Sequence, residues 1–343
     1  MILETERLIL RPWEESDAEE CYRYAKDPRV GPIAGWPPHT SAEDSRRVIR
    51  DVLMVPETYA IVLKETGLPV GSIGLHRNDL AEKEDEAELG YWLGVPYWGN
   101  GLVPEASREL LRHAFEDLRF ARVWCGYYDG NERSKRVQEK LGFRYRWTSE
   151  DVPVAQMGET RKGHVSLMTR EDWSVMIESC VPSPDDLWFR RTMLADPETM
   201  SYNHAWGGTI PFPEQAWKAW YDHWIVNHEN RRWYRYLKNP AGRFVGEIAY
   251  HYDDDRRIFA ADVIIHAPYR GIGYGGRGLE LLCGAARRNG VTALYDDIAA
   301  DNPAVTLFLR HGFVEEYRTD EIIMLKKDLR DTETLIGKEA DRS

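Results

Sequence analysis

The chain writes one strand, glycine turn and helix twice: Pro96-Tyr97-Trp98-Gly99-Asn100-Gly101-Leu102-Val103, then Pro268-Tyr269-Arg270-Gly271-Ile272-Gly273-Tyr274-Gly275. The copies lie 172 positions apart, and other landmarks recur at nearly the same offset. Asp27-Pro28 returns as Asp196-Pro197; Val70-Gly71, Ile73 and His76 return as Val245-Gly246, Ile248 and His251; Asn131 and Gly142-Phe143 return as Asn302 and Gly312-Phe313. A single Gly-x-Gly is uninformative. Ordered landmarks at a slowly drifting offset describe one α/β module used twice, each copy with a loop suited to cradling phosphate.

The 343 residues suffice for two cores of ordinary domain size, and 13 Trp argue for well-packed domains. The boundary is expected near residues 172 to 184, where Pro182-Ser183-Pro184 punctuates the chain, giving domains 1–173 and 174–330 and a charged tail, 331–343. No apolar run is long enough for a membrane span, and no basic region followed by an apolar run opens the chain, so a cytoplasmic protein is expected. Cys21, Cys125, Cys180 and Cys283 are scattered without metal-ligand spacing and read as reduced, buried thiols. A formal charge of −12 disfavours nucleic acid and anionic membranes as partners. It leaves two readings open: plain solubility, or attraction of a cationic amine. Acidic clusters at residues 82–86 and 253–255 suit either.

Periodicity predicts strands at Arg7–Pro12, Tyr59–Lys64, Val70–His76, Ala87–Leu93, Ala121–Gly126 and His164–Met168, with helices ending at Tyr24 and spanning Pro104–Leu118 and Asn131–Leu141. Another helix starts near Ser41. The second copy repeats the order from about Val175. Its first helix holds Leu187, Phe189 and Leu194, its second Trp217, Trp220 and Trp224. Strands follow at Val245–Tyr252, Phe259–Ile265 and Ala293–Ala299, with a helix over Gly276–Arg288.

A glycine turn between strand and helix lets backbone approach a phosphate at the positive end of the helix. Gly271, Gly273 and Gly276, with Asp296 about 20 residues on, also satisfy a dinucleotide fingerprint. Against that alternative, such a loop normally opens its domain and needs further βαβ units, and the first copy has Pro104 at its third glycine.

The whole pattern resembles the GNAT superfamily of acyl-CoA-dependent N-acetyltransferases, whose loop reads Gln/Arg-x-x-Gly-x-Gly/Ala. Arg270 to Gly275 matches it fully; Trp98 to Val103 departs at both ends. Tyr97-Trp98-Gly99, Glu6 to Arg11, Glu88-Leu89-Gly90-Tyr91-Trp92 and Asn131 to Ser134 are similar to the branch that acetylates ribosomal-protein N-termini. The resemblance implies two tandem domains, each a mixed sheet with helices on both faces, and acetyl-CoA as cofactor. It implies that Trp98, Gly99, Asn100, Gly101, Leu102 and Val103 hold CoA in one half, and Arg270, Gly271, Ile272, Gly273, Tyr274 and Gly275 in the other. Leu93 and Ile265 would meet the pantetheine arm, and Asn131 and Asn302 match an Asn that contacts CoA.

The attacking amine must be neutral, and deprotonating a lysine-like group of pKa ~10.4 at pH 7 costs about 4 to 5 kcal/mol. A carboxylate acting through water can supply this. Glu88, on the strand leading to the loop, is the first copy's candidate. In the second Asp262 is chosen while Glu247 and Asp297 compete. The superfamily's thiolate-protonating Tyr falls at Gln138 and Phe308, neither a Tyr; by the resemblance Ser134 takes that role in the first copy. His76 and His251 read as strand histidines. Tyr202, Asn203, His204 and Trp206 are candidate acceptor contacts, because this stretch mixes polar and aromatic groups without helical period. The Trp217, Trp220 and Trp224 stripe reads as core. The expected activity is acetyl transfer to a primary amine, on a protein N-terminus or a small molecule. The alternative is an acyl-CoA-binding module with one or both halves inert.

Overall fold

The computed structural model describes residues 1–330; the expected charged tail, 331–343, lies outside the described residues, as do the side chains of Ala205 and Trp206. The chain divides into two compact units, one comprising Met1–Trp173 and one beginning at Ser174.

In the first unit the strands are β1 (Leu3–Glu4), β2 (Leu8–Arg11), β3 (Thr58–Leu63), β4 (Pro69–His76), β5 (Glu86–Leu93), β6 (Arg122–Tyr128), β7 (Arg144–Val154) and β8 (Glu159–Thr169). The helices are α1 (Ala18–Ala25), α2 (Gly31–Ala34), α3 (Ala42–Val48), α4 (Leu102–Arg112), α5 (Glu132–Leu141) and α6 (Arg170–Val175), which runs across the division. One sheet of order β1-β2-β3-β4-β5-β6-β8-β7 results. Its central strand β4 is buried on both faces, and α1 and α4 both pack on it. Trp13, Ala18, Cys21, Ala25 and Ile49 close one side over Ala60 and Val62. Ala106, Leu110 and Leu111 form the buried stripe of α4.

The second unit contains β9 (Glu178–Cys180), β10 (Arg232–Lys238), β11 (Phe244–Asp253), β12 (Ile258–Ile265), β13 (Ala293–Ala299), β14 (Val314–Arg318) and β15 (Ile322–Asp328). Its helices are α7 (Leu187–Ala195), α8 (Glu214–Tyr221), α9 (Tyr274–Arg288) and α10 (Ala304–Arg310). The order β9-β10-β11-β12-β13-β15-β14 repeats that of the first unit from β2 onward. Again two helices, α7 and α9, pack on the central strand, here β11. Trp220 and Trp224 pack against Phe189, Met193 and Tyr234, and Trp217 against Phe212, so the Trp stripe is a half-buried packing face against the core, in line with the expected packing role.

Both sheets are antiparallel except at one place each, the β5–β6 and β12–β13 pairs. A dinucleotide-binding fold is built on a run of parallel strands. The fingerprint formed by Gly271, Gly273 and Gly276 therefore sits in the wrong topology, and Gly276 has another reason to be glycine: a Cβ there would lie 2.8 Å from the ring of His311, just past α10.

Candidate active site

The one parallel pair in each unit does not stay paired. β5 and β6 match only at Glu86↔Arg122, Ala87↔Val123 and Glu88↔Trp124, then diverge although both strands continue. β12 and β13 match at a single position, Ala260↔Tyr295. Beyond Glu88 the backbone groups of alternate β5 residues face the side that β6 has left. Cys125 Sγ donates to Leu89 O at 3.2 Å and Trp98 Nε1 to Leu93 O at 2.8 Å. On the β6 side Gln138 Nε2, from α5, donates to Gly126 O at 3.3 Å. The opened wedge is part of a cleft of about 1120 Å³ that runs from Trp36 and His76 past Glu88, Tyr91 and Ser134 to Gly99 and Gly101.

At the far end of that cleft the loop takes φ of +81° at Gly99 and +77° at Gly101, left-handed values that favour glycine. Among the described residues no backbone acceptor takes an N–H from Gly99 to Val103, and a Cβ on Gly99 would meet nothing within 4 Å. The loop is braced from behind. Arg7 Nη1 donates to Asn100 O at 3.1 Å while its guanidinium pairs with Glu105 at 2.6 Å, and the Arg133 guanidinium lies 4.1 Å over the Trp98 ring. In the second unit Gly271 and Gly273 have φ of +79° and +113°. Ile272 and Tyr274 turn their side chains into the core, and Gly275 permits close approach of Leu307. Arg270 spends its guanidinium on carbonyls: Ile265 O at 3.2 Å, Glu198 O at 3.0 Å and Thr199 O at 2.5 Å.

Glu88 stands at the apex of the wedge. Asn78 donates to its carboxylate, as does the Gly126 backbone, but burial outweighs both and raises its pKa above the ordinary carboxylate value. His76, its cross-strand neighbour, has its pKa lowered by burial. Across the wedge, Asn131 Oδ1 accepts the Ser134 N–H at 3.2 Å and caps α5. The Ser134 hydroxyl lies 3.0 Å from the Tyr91 hydroxyl, whose pKa burial pushes well up.

The second unit is built differently at these points. Register puts Ala260 where Glu88 stands; the matching landmarks put Val263, Val305 and Phe308 where Tyr91, Ser134 and Gln138 stand. Asp262 lies two residues along from Ala260, with its Oδ2 3.3 Å from His251 Nδ1, and raises the pKa of that imidazole. Of its competitors, Glu247 is buried against Arg190 and Tyr234, and Asp297 pairs with Arg256 at 3.2 Å. Asp296 is pushed well up by burial and by the nearby Asp262 and Asp297 charges. Tyr202 feels Glu247 and Asp262, which add to burial in raising its pKa. Asn203 instead donates to Gly208 O at 2.7 Å, and His204 lies 3.1 Å from Ser201 O and 3.5 Å from Asp301. Asn302 caps its own turn, accepting the Ala304 N–H at 2.9 Å.

Residues 7–144 match the acetyltransferase (GNAT) domain pattern, and residues 196–313 match that of the acetyltransferase (GNAT) family. An uncharacterised N-acetyltransferase, p20, of Bacillus licheniformis is 31% identical over 159 residues, 45% of this chain and 88% of that protein. The chain belongs to the GNAT acetyltransferases. Among its GNAT relatives, the ribosomal-protein-serine acetyltransferase of Escherichia coli K12 is 29% identical over 113 residues, 32% of this chain and 62% of that protein. A GNAT acetyltransferase structure from Bacillus anthracis aligns with 50% of this chain and 99% of its own at 24% identity and a TM-score of 0.46.

GNAT enzymes use acetyl-CoA, and the first unit's residues fit it. Unspent amides and open space at Gly99 suit a pyrophosphate, and Arg133, Arg136 and Lys140 line the same cleft in a chain of net charge −12. Among the described residues no group of three or more His, Cys, Asp and Glu is arranged to hold a metal, and no helix is long and apolar enough to cross a membrane. Sequence reasoning passed over Tyr91, Asn78 and Arg133. Tyr91 lay within a quoted motif, and its place two residues before Leu93 on the splayed strand was the signal available.

Proposed function

We propose that the first unit transfers acetyl from acetyl-CoA to a primary amine by direct attack, with Glu88 as general base. The observation that carries this reading is that a half-buried carboxylate at the apex of the wedge shares one cleft with an unspent amide loop. Acetyl-CoA supplies the activated acyl thioester. The amides of Gly99 to Val103 hold its pyrophosphate, and the Tyr91 and Leu93 backbone groups face the arm along β5. Glu88, its pKa raised by burial, is when ionised a better proton acceptor than a solvated carboxylate. It draws a cationic amine and receives its proton through water. Peptide N-termini are the first acceptors to test, since the Escherichia coli relative is named for a ribosomal protein.

The second unit is read as an acetyl-CoA-binding partner domain of different competence. It keeps the braced glycine loop and has only Val263, Val305 and Phe308 where the first unit has Tyr91, Ser134 and Gln138. Calorimetry with acetyl-CoA, repeated on Gly101→Glu and Gly273→Glu chains, tests both readings alongside thiol release with a panel of peptides and amines. Two sites with turnover lost only in Gly101→Glu are expected. Turnover lost only in Gly273→Glu would reverse the assignment, and no binding at all would overturn it.

A further inference from the structure

Ser134 Oγ has one protein donor within reach, Gln138 Nε2, and faces the Tyr91 hydroxyl in a contact that either group can donate. The Tyr91 hydroxyl on β5 is 3.0 Å away, and Gln138 Nε2, one turn along α5, donates at 3.4 Å. A serine hydroxyl has two lone pairs and one proton. Tyr91 also reaches Ser134 O at 3.3 Å, and the shorter contact to Oγ is the better use of the phenol proton. With Tyr91 as the donor, both lone pairs are filled and the Ser134 proton is directed at whatever enters the cleft. Both Tyr91 and Ser134 line that cleft.

The geometry points to Tyr91 as a positioning residue that, with Gln138, presets the Ser134 hydroxyl as a hydrogen-bond donor to the departing CoA sulfur in the first unit. This rests on the transferase reading above. In the balanced step the acceptor nitrogen bonds to the acetyl carbon and the carbon–sulfur bond breaks, its electron pair staying on sulfur. Glu88 receives the proton that nitrogen loses, Ser134 delivers one to sulfur, and cleft water returns the proton from Glu88 to Ser134. The buried phenol keeps its own proton throughout, as its raised pKa requires. The second unit, with valines and Phe308 at these positions, has no such donor.

The test compares CoA with desulfo-CoA by calorimetry in the Gly273→Glu background, across the range where a free thiol titrates, about pH 7 to 10. A donor at sulfur favours the thiolate, so the affinity of CoA relative to desulfo-CoA is expected to rise with pH by roughly tenfold. Tyr91→Phe and Ser134→Ala should each flatten that rise, and the double variant should be no flatter than Ser134→Ala. In acetyl-CoA hydrolysis, with water as acceptor, Tyr91→Phe should lower kcat and leave KM unchanged. A pH profile unaltered in Tyr91→Phe, or losses that add in the double variant, would overturn the positioning role. Should Tyr91→Phe fail to fold, Ser134→Ala carries the same test: an unflattened profile there sinks the inference. If the wild-type chain binds neither CoA nor acetyl-CoA, the transferase reading falls as well, an outcome distinct from normal binding with a flat profile.

Discussion

The Trp98 indole donates to the Leu93 carbonyl across 2.8 Å, tying the first residue of the glycine loop to the last residue of the strand that feeds it. Arg270 makes the same tie to Ile265 at 3.2 Å. Two unlike side chains answer one need, a carbonyl left without a sheet partner where the strands part. In the first unit a cation reaches the loop from elsewhere, as Arg133 stacked on Trp98.

Trp98→Phe keeps a ring for Arg133 and removes the donor. Acetyl-CoA affinity in the first unit should fall about five- to tenfold, the worth of one hydrogen bond at a loop hinge, while Trp98→Arg, which can remake the tie, should stay close to wild type. Calorimetry decides, and wild-type affinity in Trp98→Phe would make the tie idle.

The two loops should tolerate a methyl group unequally. Both Gly99 and Gly273 have positive φ, which costs an alanine roughly 1 to 2 kcal/mol. Around Gly99 the space is open, whereas a Cβ on Gly273 would sit 2.9 Å from Ser174 Oγ. Gly273→Ala should therefore lower the thermal midpoint more than Gly99→Ala, and equal losses would mean that Ser174 moves aside freely.

The glycine loops, the strands before them and the tandem order were legible because each rests on local chemistry: apolar period, turn residues and repeated landmarks. β10 was missed despite the period-two pair Tyr234 and Tyr236, and β7 and β14 because both are largely exposed and so have no apolar face to read. The place of Glu88 on the strand that leads to the loop was legible too. Tyr91 needed a fact that no local pattern carries: that β6 departs just beyond Glu88 and lets α5 bring Ser134 to its hydroxyl. Likewise Asp262 was the expected counterpart of Glu88, yet register gives that place to Ala260.

Glu88→Gln should act differently on rate and on stability. In its proposed role as base Glu88 works only when ionised, so wild-type kcat/KM should show an acidic limb above the ordinary carboxylate range, and the variant should lose it and follow the free amine alone. The loss is then greatest between the Glu88 pKa and that of the amine. Burial raises the folded pKa, so the folded state binds this proton more tightly and the ionised group costs stability above that pKa. Glu88→Gln should thus raise the thermal midpoint near neutral pH, where activity falls. A lowered midpoint would recast Glu88 as a structural residue.

His251 and Asp262 give the second unit a pH dependence of opposite sign. Asp262 raises the His251 pKa above its usual value near ~6.5, with Asp253 assisting and burial and Arg232 opposing. A histidine held protonated by the fold adds stability that is complete below its unfolded pKa and is lost as pH rises through the folded one. Hydrogen exchange of β12 amides should accordingly quicken, beyond its intrinsic increase, as pH climbs past about 6.5. Asp262→Asn should flatten that dependence while leaving the first unit's amides unchanged. The pair is partly exposed, so added salt should weaken the effect. A pH dependence equal in wild type and Asp262→Asn would show that the 3.3 Å approach contributes nothing.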